Sequence, residues 1–324
     1  MKKVLITGAL GQIGSELTAK LRNEYGIDNV IATDIRSIKN NGVSENGIFE
    51  TLDVMDVDSI ALIAKKYNVD TIIHLASLLS AVGEQKPQVA WQLNMGGLTN
   101  ILEVCRELNL KLFTPSSIAA FGASSPKDLT PQDTIQRPST MYGVTKVAGE
   151  LLCDYYFNKF GVDTRGVRFP GLISYVTPPG GGTTDYAVDI YYEALKNKKY
   201  DSFIAKGTQM DMMYMPDALA AIVDLIEADG SKLVHRNAFN ITAMNFDPEE
   251  IANEIKKHIP DFKFGYNVDP VRQSIAESWP NSIDPSCAIN EWGFKFEYDL
   301  AKMTKDMLLK LSAKGICSTD LENA

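Results

Sequence analysis

The fold is decided by Val4-Leu5-Ile6-Thr7-Gly8-Ala9-Leu10-Gly11-Gln12-Ile13-Gly14, close to the start of the chain. Its first four residues form an apolar, β-branched run typical of a buried strand, and Gly8, Gly11 and Gly14 follow at three-residue spacing. A glycine turn between a strand and a helix lets the backbone approach a dinucleotide pyrophosphate at the helix N-terminus. The spacing is one residue longer than the usual dehydrogenase fingerprint, so a tight turn that binds nothing is the alternative interpretation.

Short β-branched runs alternate with longer helical stretches through the first half of the chain. The predicted strands are Val4–Thr7, Val30–Asp34, Ile48–Leu52, Thr71–Leu75, Leu112–Pro115 and Thr164–Phe169. The predicted helices are Ile13–Tyr25, Asp58–Tyr67, Val89–Leu108 and Tyr142–Phe160. This alternation predicts an α/β fold, a Rossmann-like doubly wound parallel sheet with helices on both faces and right-handed crossovers.

The pattern changes after Pro170. We predict a loop over 178–182, helices over Asp185–Asn197, Pro216–Ala228 and Leu300–Leu311, and strands over Ser202–Ile204 and Ala238–Ile241. The stretch that contains Pro260, Pro270, Pro280 and Pro285 is expected to be rich in loops. The resulting prediction is a Rossmann domain over 1–171, to which part of 212–242 returns. A smaller C-terminal substrate lobe covers 172–211 and 243–314, and a tail covers 315–324.

Composition excludes several classes of protein. The 324 residues carry a formal net charge of −9, which argues against a nucleic-acid partner. The longest apolar stretch, Thr71 to Val82, is shorter than the roughly 18 residues that a membrane span needs, and no signal peptide is visible. The cysteines form no C-x-x-C pair and, with three histidines, show no zinc-ligand spacing: Cys105, Cys153, Cys287 and Cys317. We therefore expect a cytoplasmic protein without a metal.

Asp34 ends the second predicted strand, where a carboxylate accepts hydrogen bonds from the adenosine ribose hydroxyls and repels a 2′-phosphate. This favours NAD over NADP, although Arg36 would accommodate that phosphate and a turn cap is the alternative role of Asp34. His74 is interpreted as a packed strand residue. Further predicted cofactor-binding residues lie in the turn, at strand ends and on neighbouring helices: Gln12, Ile13, Ile35, Asp53, Val54, Leu75, Ala76, Ser77, Asn94 and Phe169.

Tyr142-Gly143-Val144-Thr145-Lys146 places a phenol and an ammonium one helical turn apart, on the same face. Lys146 would stabilise the phenolate and hold the nicotinamide ribose, so that Tyr142 acts as a general base. Ser117, at the end of the fifth predicted strand, would hydrogen-bond the reacting oxygen. Taken alone, Tyr142 and Lys146 would be interpreted as two exposed side chains on a helix. The neighbouring hydroxyls of Thr114 and Ser116 are alternatives to that of Ser117. With the glycine turn, the set predicts a nicotinamide-dependent oxidoreductase.

Over nearly its whole length the chain resembles the extended short-chain dehydrogenase/reductase family, and within it the short-chain-type L-threonine 3-dehydrogenases. The segments that carry the resemblance are LASLLSA at 75–81, PSSIAAFG at 115–122, GGGTTDYA at 180–187, SWPNSID at 278–284 and EWGF at 291–294. GGGTTDYA and the SWP and EWG segments are the specific ones. One departure is SCAI at 286–289, where related enzymes usually have a basic residue.

The resemblance implies NAD-dependent oxidation of the β-hydroxyl of L-threonine to 2-amino-3-oxobutyrate, and a homodimer. It also implies that the substrate is surrounded by Ser80, Ser117, Tyr142, Thr183, Thr184 and Trp279. The residues that bind the substrate carboxylate and ammonium stay unassigned; Asp185 is a candidate for the ammonium, with a helix N-cap as the alternative.

Two other functions are compatible with these motifs. A nucleotide-sugar epimerase or dehydratase has the same Ser–Tyr–Lys set, but it needs basic side chains for a diphosphate. The basic residues after Pro170 cluster at a helix end, as expected of solvated surface: Lys196, Lys198, Lys199 and Lys206. A non-catalytic NAD-sensing protein would have no need for a proton-transfer group.

Overall fold

The structure is a computed structural model that describes residues 1–37, 42–178, 180 and 182–316. The strands are β1 Val4–Thr7, β2 Val30–Asp34, β3 Phe49–Thr51, β4 Thr71–His74, β5 Lys111–Phe113, β6 Ser116–Ser117, β7 Thr164–Arg165, β8 Val167–Phe169, β9 Gly171–Ile173, β10 Lys199–Ser202, β11 Met210–Tyr214, β12 Phe239–Asn240, β13 Met244–Phe246 and β14 Lys263–Tyr266. The helices are α1 Gln12–Tyr25, α2 Gly42–Glu45, α3 Val57–Lys66, α4 Ser80–Gln85, α5 Pro87–Trp91, α6 Gly97–Leu108, α7 Met141–Phe160, α8 Tyr186–Asn197, α9 Met215–Glu227, α10 Pro248–Lys256, α11 Pro270–Ser278, α12 Ser286–Trp292 and α13 Leu300–Ala313.

The central sheet has the strand order β3-β2-β1-β4-β5-β7 over the described residues, and its pairs are parallel. Helices pack their apolar sides on both faces of this sheet. Such cover is needed because β1 and β2 are buried along their whole length. The predicted Rossmann-like doubly wound α/β fold is thus confirmed. The order reverses at β1, so a crevice lies between the carboxyl ends of β1 and β4, where such sheets bind ligands.

The strands that follow extend this architecture. β6, β8 and β12 form a parallel set, and β9 pairs with β11, which pairs with β13. A separate apolar core lies among α8, α10 and α13, with Tyr186, Tyr191 and Tyr214 fully buried in it. Among the described helices, none is both long and apolar enough to cross a membrane.

The predicted strand over Ser202–Ile204 is wrong in its position. The strand is β10, Lys199–Ser202, which alternates exposed and buried residues and pairs with β14. It ends at Ser202 because the Ser202 hydroxyl accepts a hydrogen bond from the Ile204 nitrogen and donates one to the Ile204 carbonyl. Of the predicted loop over 178–182, Pro179 and Gly181 lie outside the described residues, as does 317–324 of the predicted tail.

The region expected to be rich in loops also contains three helices, α10, α11 and α12. Pro248 and Pro270 occupy the first turns of α10 and α11, directly after the N-caps Asp247 and Asp269. A proline at this position costs no hydrogen bond, since the first N–H groups of a helix have no partner in the helix. The prolines therefore begin helices here instead of interrupting them.

A buried ion pair supports the strand that carries Ser117. Glu150 on α7 binds Arg168 on β8, with Nη2 to Oε2 at 2.8 Å, and both side chains are about 7% exposed. Glu150 also accepts a hydrogen bond from the Ser116 hydroxyl, and Arg168 donates to the carbonyl of Gln132 and the side chain of Asn240. Five segments are thus joined, namely α7, β6, β8, β12 and the segment that contains Gln132.

We predict that Arg168→Met lowers the free energy of unfolding by about 3–5 kcal/mol, because it leaves the Glu150 charge buried without its partner. Urea unfolding followed by circular dichroism measures this. The control is Lys206→Met, which removes an exposed ion pair with Glu249 and should leave the free energy of unfolding nearly unchanged. Equal effects of the two substitutions would contradict the prediction.

Candidate functional site

The glycine turn is shaped for a close approach of backbone. Gly8 has a φ of +69°, and a Cβ there would lie 2.7 Å from the Ala76 nitrogen. A Cβ on Gly14 would lie 2.3 Å from the Gly8 carbonyl oxygen, so α1 can begin this close to β1 only with glycine. The turn leaves the first N–H groups of α1 directed at the crevice, and this cradle fits the pyrophosphate of a dinucleotide.

Asp34 lies at the carboxyl end of β2, beside the turn. Its carboxylate accepts hydrogen bonds from the Leu10 nitrogen, at 3.1 Å, and from the Arg36 guanidinium, with Nε at 2.9 Å. Burial raises the pKa of Asp34, but the hydrogen bonds from Arg36 and Leu10 outweigh it, so the pKa lies below its usual value. Asp34 is therefore an ionised acceptor at the position predicted for the adenosine ribose. When a cofactor binds, the half-exposed Arg36 has to share the Asp34 carboxylate with the ribose or release it.

The start of α7 packs tightly on the turn that follows β6. A Cβ on Gly143 would lie 2.2 Å from the Ala119 carbonyl oxygen. The Thr140 hydroxyl caps the helix by accepting a hydrogen bond from the Gly143 nitrogen at 3.1 Å. The neighbour of Gly143, Tyr142, is thereby held beside Ser117, whose hydroxyl oxygen accepts a hydrogen bond from the Ala119 nitrogen at 3.2 Å.

Lys146 lies one turn after Tyr142 on the same face of α7. Its ammonium is 5.2 Å from the centroid of the Tyr142 ring and donates a hydrogen bond to the Pro115 carbonyl at 2.8 Å. The positive charge is thus fixed between the phenol and the residue that precedes β6. This arrangement places the phenol and a fixed positive charge at the same end of the cavity that both residues line.

Two adjoining cavities lie along the carboxyl ends of the strands. The first, of about 370 Å³, is lined by the predicted cofactor-binding residues Asp34, Ile35, Asp53, Val54 and Ala76. The second, of about 260 Å³, is lined by Gln12, Ile13, Gly14, Ser117, Tyr142, Lys146 and Phe169. They share Gly8, Gly11, Leu75 and Ser77. One continuous groove therefore joins the carboxylate of Asp34 to the phenol of Tyr142, as an extended dinucleotide needs.

Asn94 and His74 lie behind this groove. Asn94 belongs to a π-helical turn, Gln92–Gly96, and its amide bonds the backbone of Leu78 and the hydroxyl of Thr145. It therefore orients the segment after β4 from inside. His74 is buried and hydrogen-bonds Thr7 at 2.8 Å; burial, with a smaller contribution from Lys146, lowers its pKa to about 3. It is a neutral strand residue at ordinary pH.

The residues predicted to surround the substrate are only partly brought together. Thr184 lines the second cavity with Ser117 and Tyr142. Thr183 is buried, and Ser80 is the first residue of α4. Trp279 is 8% exposed and belongs to the core of the smaller C-terminal part, where its carbonyl accepts a hydrogen bond from Lys127 at 2.7 Å. Within the described residues, Thr183, Ser80 and Trp279 do not line the second cavity.

Four residues that line the second cavity were not predicted from sequence, and two more were named there only as alternatives, Ser116 and Asp185; the four are Leu79, Pro115, Pro170 and Leu172. Pro170 directly follows β8, so its position at a strand end was the available signal. Asp185 was weighed both as an ammonium partner and as a cap. Its carboxylate accepts hydrogen bonds from the nitrogens of Gly180 and Gly182, each at 2.7 Å, so it holds the loop that precedes α8 and makes no side-chain N-cap hydrogen bond to that helix.

A profile of the NAD dependent epimerase/dehydratase family matches residues 4–242. A curated relative, an uncharacterized epimerase/dehydratase of Staphylococcus saprophyticus, is 61% identical over 97% of this chain and 98% of its own. The structure of an L-threonine dehydrogenase from Clostridium difficile is 76% identical, with a TM-score of 0.97 over 98% of this chain and 99% of that one. The structure of an L-threonine dehydrogenase from Phytophthora infestans is 50% identical, with a TM-score of 0.93 over 96% of this chain and 99% of that one.

We predict that Gly14→Ala weakens NAD binding by about tenfold or more, because the added methyl forces the glycine turn open. Titration of intrinsic fluorescence with NAD measures the dissociation constant. Gly42→Ala is the matched control, since its Cβ would meet only the Asn46 side chain, at 3.8 Å. Unchanged affinity in Gly14→Ala would show that the turn does not hold the pyrophosphate.

We also predict that NAD is used with an efficiency at least about tenfold above that with NADP, and that Asp34→Ala narrows the difference. The carboxylate repels a 2′-phosphate, and its removal frees Arg36 to bind one. Steady-state kinetics with both cofactors measure the ratio, and Asp58→Ala, an exposed carboxylate on α3, is the control. Equal use of the two cofactors by the unaltered protein would mean that Arg36 determines the choice.

Proposed function

The chain belongs to the NAD-dependent epimerase/dehydratase family, the extended short-chain dehydrogenases/reductases, and we propose that it is an NAD-dependent L-threonine 3-dehydrogenase. The proposed reaction oxidises the β-hydroxyl of L-threonine to give 2-amino-3-oxobutyrate. The observation that carries the proposal is the second cavity, in which Ser117, Tyr142 and Lys146 meet at the end of the cofactor groove. The high identity to an L-threonine dehydrogenase supports the choice of substrate.

The groove fits NAD through the glycine cradle at Gly8 and the acceptor Asp34, with Lys146 placed to hold the nicotinamide ribose. When bound, NAD supplies the acceptor for the hydride that leaves the substrate carbon. Ser117 would donate a hydrogen bond to the substrate oxygen and orient it toward Tyr142. Tyr142, in its phenolate form, would then accept the proton of the substrate hydroxyl, and the Lys146 ammonium would stabilise that phenolate.

The size of the second cavity suits a small substrate. Much of its lining is apolar, with Leu79, Pro170 and Leu172, and Thr184 and Asp185 add polar groups at one side. An amino acid with a short side chain requires a wall of this kind for its methyl group and a few directed polar partners. Thr183, Ser80 and Trp279 remain proposed substrate residues, which would act through closure of the segments that carry them.

A nucleotide-sugar epimerase is the second candidate, and the basic side chains after Pro170 argue against it. Lys198, Lys199 and Lys206 form ion pairs with Asp261, Asp201 and Glu249, while Lys196 lies over the Tyr192 ring. Within the described residues, no arginine and no lysine besides Lys146 lines the second cavity. A substrate diphosphate would therefore lack its usual partners. A purely NAD-sensing role leaves the Ser117–Tyr142–Lys146 arrangement without a purpose.

We further propose a homodimer that uses the exposed face of α7. Val144, Leu151 and Tyr155 lie on one face of this helix and are 38%, 62% and 53% exposed. A contiguous apolar face of a helix is typical of a subunit interface. Sedimentation velocity of the unaltered protein distinguishes a dimer from a monomer.

We also propose a cytoplasmic location. The free, buried thiols of Cys105 and Cys153 are in keeping with it.

We predict that Tyr142→Phe keeps NAD affinity but lowers the rate of threonine oxidation by about 10²-fold or more, because only the ionisable oxygen is lost. NADH absorbance gives the rate, and fluorescence titration gives the affinity. The control is Tyr266→Phe, which alters an exposed tyrosine of β14 that does not line the second cavity. Near-normal turnover in Tyr142→Phe would exclude the tyrosine as the base.

The substrate assignment predicts that L-threonine is oxidised about 10–200-fold more efficiently than L-serine, since the missing methyl costs roughly 1–3 kcal/mol of transition-state binding. L-allo-threonine should be poorer still, because inversion at the β-carbon turns the hydroxyl away from Tyr142. NADH formation with each compound, and with UDP-glucose, measures the order. Turnover of the sugar nucleotide in place of threonine would favour the epimerase.

A further inference from the structure

A group of potential metal ligands lies outside the proposed active site. Cys287 and Glu291 are one turn apart on α12 and share a face of that helix. His235 faces them from the segment that precedes β12. One ligand atom from each of the three side chains lies within 4.8 Å of the other two. All three are partly buried, so the group is accessible to solvent on one side.

The Glu291 carboxylate is held in one orientation. Its Oε2 atom accepts hydrogen bonds from the backbone nitrogens of Val234 and His235, at 2.6 and 3.0 Å. Its Oε1 atom is left to bind Nδ1 of the His235 ring. On the other side of that ring, Nε2 lies 3.2 Å from Oδ2 of Asp133. The imidazole is therefore fixed between two carboxylates, one of which lies beside the thiol.

The surroundings favour a cation. Burial raises the pKa of the Cys287 thiol, and the negative charges of Glu291, Asp284 and Asp133 raise it further. Burial lowers the pKa of His235, but its hydrogen bonds with Glu291 and Asp133 outweigh this and give a net rise. A bound cation would offset the three carboxylates and allow the thiol to ionise.

We propose that Cys287 Sγ, His235 Nδ1 and Glu291 Oε1 bind one divalent transition metal ion of the Zn²⁺ class. Thiolate, imidazole and carboxylate are each common zinc ligands, and a water molecule would complete four-coordination. Asp133 would accept a hydrogen bond from Nε2–H of His235, as carboxylates do behind metal-binding histidines. Binding releases the thiol proton and the proton held between His235 and Glu291.

The geometry requires small shifts of the ligand atoms. Ligand atoms around a tetrahedral zinc ion lie about 3.5 Å apart. The three atoms already lie within 4.8 Å of one another, but His235 Nδ1 and Glu291 Oε1 are in hydrogen-bond contact and must separate to admit the ion. Because β12 runs parallel to β8 and β6, the segment before β12 lies at the end of the sheet opposite Ser117. The ion would thus tie α12 to the sheet and take no part in hydride transfer.

Zn²⁺ titration of the full-length protein tests the proposal, after any affinity tag has been removed and the protein stripped with a chelator. We expect one equivalent of Zn²⁺ to bind by calorimetry and to raise the thermal midpoint. Cys287→Ser and Glu291→Gln should abolish binding, and Asp133→Asn should weaken it by about 10–100-fold. Circular dichroism verifies that each variant is folded.

The matched controls are His258→Ala, which removes an exposed histidine, and Cys317→Ala, which removes a thiol outside the described residues. Both should bind Zn²⁺ like the unaltered protein. Cd²⁺ should give a thiolate charge-transfer band that Cys287→Ser lacks. Absence of Zn²⁺ binding, or undiminished binding and band in Cys287→Ser, would overturn the proposal. Neither result depends on whether threonine is the substrate.

Discussion

The site depends on one close packing contact, between the start of α7 and the turn after β6. Gly143 allows the helix to approach the Ala119 carbonyl at a distance that any Cβ would prevent. Tyr142 and Lys146 are carried in with the helix, and Ser117 is carried by the turn. The proposed proton acceptor, the ammonium proposed to stabilise it and the hydroxyl proposed to orient the substrate therefore have positions set by a single interface between backbone segments.

Two further features make that contact durable. The Glu150–Arg168 pair joins α7 to β8 beneath the Ser117 strand, and the Lys146 ammonium joins the same helix to the Pro115 carbonyl. The glycine turn at the other end of the groove works in a similar way, since Gly8 and Gly14 bring β1, α1 and the end of β4 together. The rigid parallel sheet thus sets the distance between the cofactor cradle and the base, and the smaller part of the chain closes the second cavity through Thr184 and Asp185.

Local sequence patterns predicted those parts of the fold and the candidate site that depend on interactions between residues close in sequence. The strand–glycine–helix sequence at 4–14 and the pair Tyr142/Lys146 were readable because backbone sterics and helical spacing act over a few residues. The strand that spans Lys199–Ser202 was predicted at Ser202–Ile204 instead. Its end is determined by the Ser202 hydroxyl and its pairing by a strand distant in sequence, and neither is visible in a local pattern. The helix that begins at Pro270 was missed because this proline was interpreted as a sign of a loop, although it follows an aspartate that caps a helix. The helix that begins at Pro248 has the same aspartate–proline start and was not predicted either. The group of His235, Cys287 and Glu291 has no spacing signal, since only the tertiary fold brings α12 beside β12.

The central claim is that hydride leaves the β-carbon of threonine while Tyr142 takes the hydroxyl proton. L-threonine that carries deuterium at the β-carbon tests it most directly. Mass spectrometry of the reduced cofactor should find the deuterium there in stoichiometric amount with the unaltered protein, with a primary isotope effect on the rate when chemistry is limiting. The transfer should be nearly abolished in Tyr142→Phe at saturating NAD. Reduced cofactor without deuterium, or undiminished transfer in Tyr142→Phe, would contradict the account.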